Sequence, residues 1–215
     1  MNKIKKVVLL TLGGTLGGMV GTVFSGMMEF LRFYFRNPNT NIANYLLRPF
    51  HYTNIANYLL RPFHFFAFFG AIIGLGISFG YILPLDRHKI IKVLTQAIVP
   101  GFICFALLFS GLIGKGRKYY EVGERWDWDM SCHLSGLSMS IYFTILCVVT
   151  VLGIIIGEKV TKKIKLFGLQ VMLRTIVTLL VVTPLCISSI EIFLNYIPMI
   201  GGISFGIILF SINKK

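Results

Sequence analysis

An all-α bundle of six membrane-spanning helices, with both termini on the cytoplasmic side, is the fold class this sequence predicts. Three observations predict it. Six stretches of 19 to 22 residues are almost wholly apolar, which is the length a helix needs to cross about 30 Å of hydrocarbon. The chain is only 13% charged and its mean hydropathy is +0.78, whereas a soluble domain carries roughly 25% charged residues. Lysine and arginine gather on alternate connectors, the pattern of the positive-inside rule. No polar segment is long enough to enclose a core of its own, so residues 1–215 read as a single membrane-embedded domain.

The first span, 7–28, follows Lys3, Lys5 and Lys6 and contains no charged side chain. A signal peptide has a shorter apolar core and a small-residue cleavage site. This run is longer and leads directly into Glu29, so an uncleaved first span is expected. Two ridges of small residues run along it. One is Gly13, Gly17, Gly21 and Ser25; the other is Gly14, Gly18, Thr22 and Gly26. Residues four apart share a helix face. Small residues there let a neighbouring backbone come close, which is how helices associate where lipid supplies no hydrophobic drive.

An outer loop, 37–64, contains a tandem repeat: Thr40 through His51 recurs as Thr53 through His64, identical at all twelve positions. Identity throughout marks an in-frame duplication rather than a divergent structural repeat. Each copy is expected to form a short interfacial turn ending at Pro49 or Pro62, because proline ends helices and surface loops accept insertions cheaply. The functional alternative is a doubled Arg/aromatic patch for headgroups or a partner.

The second span, 65–83, repeats the small-residue device with Gly70, Gly74 and Ser78, and with Gly76 and Gly80. The third, 93–113, contains Gln96 and Pro100; the proline removes a backbone donor and is expected to kink the helix near Ala97. The fourth, fifth and sixth spans fall at 137–156, 168–187 and 192–212, with further glycine pairs at Gly153/Gly157 and Gly202/Gly206. Only residues 188–191 separate the last two spans, and Asn195 and Pro198 are candidates for that turn.

Charge sets the expected orientation. The connectors assigned to the cytoplasm hold twelve lysines and arginines and two acids; those assigned outside hold eight and six. The formal net charge of +13 does not indicate a nucleic-acid partner, because the basic residues flank apolar spans instead of forming one basic face. Tyr119, Tyr120, Trp126 and Trp128 lie in the outer loop between spans three and four, where amphipathic rings favour the headgroup level.

Arg174 is the one charge inside a span. An arginine at the bilayer centre costs roughly 2.5–3.5 kcal/mol on insertion scales, so intramembrane charges are functional candidates by default. Two placements are open: a long stem that snorkels to the inner headgroups, or burial in the bundle with Gln96 or Gln170 as hydrogen-bond partner. A buried guanidinium there would suit an anionic solute or a lipid phosphate. Asp127, Asp129, Cys132 and His133 bring metal-ligand types together in the outer loop, but at no spacing with known geometry. Cys104, Cys147 and Cys186 fall in spans, and a bridge from Cys132 to Cys186 needs a separation the sequence does not supply. No phosphate-binding loop, dinucleotide fingerprint, zinc-protease motif or nucleophile elbow is present.

The sequence therefore assigns no catalytic residue, no cofactor and no metal. Two functions are expected from different classes. One is a small-solute transporter or channel subunit, with Arg174, Gln96 and Gln170 as ligand-binding candidates. The other is a non-catalytic membrane subunit that binds or assembles partner membrane proteins. Gly13, Gly14, Gly17, Gly18, Gly21, Gly70 and Gly74 are expected to form a helix–helix seam inside one compact bundle; alternatively they face a second copy or another membrane protein, and the remaining expected partner is the lipid bilayer. The charge asymmetry and the Lys/Ile/Asn-rich ends suit a bacterial inner membrane.

Overall fold

The computed structural model describes residues 3–36, 55–82, 89–109, 136–187 and 190–212. Among them are six helices and no strand: α1 (Lys3–Arg36), α2 (Ile55–Ile82), α3 (Lys89–Phe109), α4 (Gly136–Thr161), α5 (Phe167–Cys186) and α6 (Ile190–Ser211). Four contain segments long and apolar enough to cross a membrane: Lys3–Met28, Ile90–Leu108, Ser140–Thr161 and Phe167–Cys186. Shorter apolar segments run Phe65–Gly80 in α2 and Tyr196–Ser211 in α6. These helices fit a membrane location.

Each helix packs on the next in sequence, and α6 returns to pack on α1, so the bundle closes as a ring. Neighbours run antiparallel. Along α1, Gly14 meets Gly70 and Gly18 meets Phe66 of α2, while Gly13 meets Gly206 and Gly17 meets Gly202 of α6. The two glycine ridges of α1 thus serve two different neighbours, and both are engaged within the chain. At Gly21 a Cβ would lie 2.6 Å from Met199 Cα, so glycine is what the approach of α6 requires. Gly70 and Gly74 face α1, whereas Gly76 accommodates the ring of Pro100 in α3. Gly153 and Gly157 face α5 at Thr178 and Arg174.

This order places the starts of α1, α3 and α5 and the ends of α2, α4 and α6 at one end of the bundle. Lys6 feels the charges of Lys92 and Glu158, which brings α1, α3 and α4 together there. At the opposite end an aromatic cluster fills the centre. It joins Phe65, Phe66 and Phe69 of α2 to Tyr142 and Phe143 of α4 and Tyr196 of α6. Ring centroids are 4.9 Å apart for Phe65 and Phe143 and 5.7 Å for Phe66 and Tyr196, within the range of edge-to-face pairs. Leu10, Ile73, Leu146, Val151, Ile203 and Ile207 continue the buried interior.

Polar groups in the helices are largely turned inward on their own backbone. The hydroxyls of Thr11, Thr15, Thr22, Thr150, Thr178 and Thr183 each donate to the carbonyl four residues earlier. That satisfies a hydroxyl without a solvent or ligand partner. The outer surface is apolar instead. Val8, Leu12, Leu16, Val20, Val23 and Met27 form one exposed stripe of α1, the inverse of a helix that hides its apolar face from water.

Several element ends differ from the sequence reading. α1 and α4 extend beyond their apolar cores, α4 through Glu158 to Thr161. Asn195 and Pro198 belong to α6 rather than to the turn before it. The second repeat copy does not end a separate turn at Pro62: from Ile55 it forms the first turns of α2, and the helix continues through the proline. The apolar run that follows favours an unbroken helix, because a lost backbone bond at one proline is less costly than a chain end exposed to hydrocarbon. The first copy, residues 110–135 and both chain ends lie outside the described residues.

Candidate functional site

Thr161, the last residue of α4, is where the polar side chains of the α4–α5 hairpin converge. The ridge Gly153, Gly157, Thr161 recurs every four residues along one face of α4. Gly157 lets the α5 backbone approach, and a Cβ there would sit 3.1 Å from the Arg174 carbonyl oxygen. Thr161 itself is 1% exposed and its hydroxyl donates to the Gly157 carbonyl at 2.8 Å. A turn follows, held by a 3.0 Å bond from Ile164 N–H to the Thr161 carbonyl. Phe167 then opens α5.

Arg174 lies seven residues into α5, about 10 Å along the axis at 1.5 Å per residue. It occupies the buried stripe Val171, Arg174, Thr178, Val182 and Cys186 and is 8% exposed. Side chains on a helix lean toward its N-terminus, so the guanidinium points back toward the hairpin. Its Nε donates to Thr161 Oγ1 at 2.9 Å. Gln170, one turn nearer the hairpin, donates through Nε2 to the Thr161 carbonyl at 3.3 Å. Arg174 and Gln170 therefore meet at Thr161 and not at each other.

Gln96 belongs elsewhere. It is 8% exposed and donates through Nε2 to the Ile77 carbonyl at 2.8 Å, tying α3 to the end of α2. Its amide occupies the space a side chain at Gly80 would need. It holds two helices together on the α2–α3 side of the ring and does not reach the guanidinium. The glycines of α1 and α2 likewise sit at interhelical contacts, with Gly13, Gly17 and Gly21 on α6, Gly14 and Gly18 on α2, and Gly70 and Gly74 on α1.

The hairpin's electrostatics are one-sided. Lys159, Lys162, Lys163 and Lys165 are all exposed, and Glu158 is the one carboxylate between Gly157 and Thr175. A buried guanidinium beside four exposed lysines can hold an anion; it supplies neither a general base nor a nucleophile. Cys104, Cys147 and Cys186 are free, buried thiols. Among the described residues no group of three or more His, Cys, Asp or Glu is placed to hold a metal. The segment from Asp127 to His133 lies outside the described residues.

Sequence reasoning singled out Arg174 and Gln170 but missed Thr161. The signal was available: the Gly153/Gly157 spacing continues to Thr161, and an arginine leaning backward from α5 meets whatever closes that ridge. No family model, curated protein or solved structure matches this chain.

Proposed function

We propose that this protein is a six-pass membrane protein with both termini in the cytoplasm, acting as a non-catalytic subunit that binds or assembles a partner membrane protein. The filled interior carries this reading. Aromatic and aliphatic side chains occupy the centre of the ring, glycines draw the helices into backbone contact, and threonine hydroxyls are satisfied by their own helices. Solute translocation draws on polar or ionisable groups at mid-membrane, and the described interior offers few.

The six-pass reading is supported by α2 and α6, which pack along α1 through their glycines although their apolar segments are shorter. The orientation is supported by the lysines that share the end of the bundle holding Lys6, Lys92 and the α4–α5 hairpin. Such asymmetry suits a bacterial inner membrane. Because the glycine ridges are engaged within the chain, a partner or a second copy would meet the exposed apolar side chains instead, of which the stripe of α1 is one set.

The test is purification in mild detergent with the tag placed first on this chain and then on the recovered partner. A membrane protein recovered in fixed stoichiometry by both routes is the expected result. Solute flux by the chain alone in proteoliposomes would overturn it.

A second reading, a small-solute transporter or channel subunit, is favoured by the buried charge of Arg174 and by prolines inside helices, among them Pro100, Pro184 and Pro198. Broken helices line many transport sites. Flux that disappears in Arg174→Gln while the protein stays folded would select it.

A further inference from the structure

We propose that the α4–α5 hairpin binds the phosphate of an anionic phospholipid headgroup, with Arg174 as the fixed cation and the hairpin lysines as the mobile ones. The inference rests on the membrane reading above, since the hairpin must lie at a lipid surface. It does not depend on which partner the protein binds.

The guanidinium is positioned before any ligand arrives. Among the described residues it makes one hydrogen bond, through Nε to Thr161 Oγ1. A guanidinium has five N–H groups, so the four on its terminal nitrogens are available to an acceptor. Phosphate oxygens match that planar fork and can take two parallel bonds. A residue only 8% exposed cannot sweep through solvent as a surface lysine does, so little side-chain entropy is lost on binding.

The surroundings identify a lipid and not a free ion as the source of the phosphate. Lys162, Lys163 and Lys165 stand in the five-residue connector directly above Thr161. Val160, Leu166, Leu169 and Met172 flank them, 45% to 68% exposed. A soluble anion has no use for that apolar border. A phospholipid has, because its acyl chains run beside the helices while its phosphate reaches the cations. Basic pockets between membrane helices on the cytoplasmic side recognise anionic headgroups in this manner.

Native mass spectrometry of the detergent-purified full chain, titrated with phosphatidylglycerol and separately with phosphatidylcholine, tests the proposal. Retention of phosphatidylglycerol well beyond phosphatidylcholine is expected. The triple variant Lys162→Gln, Lys163→Gln, Lys165→Gln should weaken it about 100-fold, at roughly a factor of five for each lysine near an anionic surface. These lysines are exposed, so the variant tests the site without touching the core; Arg174→Gln should weaken binding further where it folds. Equal retention of the two lipids, or a triple variant that binds like the wild type, would overturn the proposal. Competition by inorganic phosphate at equal concentration would also overturn it and assign the site to a soluble anion. Recovery of the protein from cells without detergent would instead refute the membrane reading, and is seen before any lipid is added.

Discussion

Arg174 Nε and Thr161 Oγ1 lie 2.9 Å apart, so the buried charge of α5 is bonded to the final residue of the preceding helix. The same hydroxyl donates to Gly157. One threonine thus ends α4, accepts from α5 and fixes where a guanidinium points. Removing that hydroxyl should cost more than its size suggests. Thr161→Val keeps the shape but leaves a buried cationic donor without its acceptor, and about 1–2 kcal/mol of stability should be lost. Denaturant titration in detergent micelles measures this; an unchanged midpoint would show the bond to be idle.

Glycine substitutions should divide by location. Gly14→Ala and Gly17→Ala push a methyl into the backbone of α2 or α6, and rigid helices cannot shift locally to admit it. Each should destabilise by about 1–3 kcal/mol, the usual range for overpacking. Gly168, near the start of α5, faces open space. Gly168→Ala should stabilise by about 0.5–1 kcal/mol, because glycine loses the most backbone freedom in a helix. Thermal midpoints of the three variants side by side test both signs.

Ser204 should respond oppositely to Thr161. Its hydroxyl is enclosed and has no hydrogen-bond partner among the described residues. Ser204→Ala removes an unsatisfied polar group at almost no loss of volume, so stability should hold or rise. A clear fall in midpoint would reveal a partner for that hydroxyl.

One copy of the tandem repeat should be dispensable. Deleting Thr40–Tyr52 removes one copy and its spacer residue while leaving Thr53–His64 to lead into α2. Expression and membrane fractionation should match the parent chain. Loss of the protein from the membrane fraction would show that the first copy is needed.

The existence of the helices was legible in the sequence because hydrocarbon thickness leaves a length signature that needs no tertiary information. The glycine ridges were legible as contact surfaces for the same reason: four-residue spacing fixes a face. Their partners were not. Gly13 and Gly14 are adjacent in sequence yet meet α6 and α2 respectively, and nothing local says that α6 returns to α1. Arg174 was visible as an isolated charge, but its acceptor is thirteen residues away across a turn. Gln96 misled for the complementary reason. Equal depth does not imply the same side of a ring, and its bond to Ile77 depends on the empty space at Gly80. The end of the second repeat copy was misread because Pro62 was given its meaning for a helix in water.

Closure of the ring by α1 and α6 has a consequence for biogenesis. α1 leaves the ribosome before α6 and must wait for it before its Gly13–Gly17–Gly21 groove is occupied. Until then a bare furrow of backbone faces the lipid, open to any passing helix with small residues. Nascent chains truncated ahead of Ile190 should therefore be the species that insertases shelter and quality-control proteases remove.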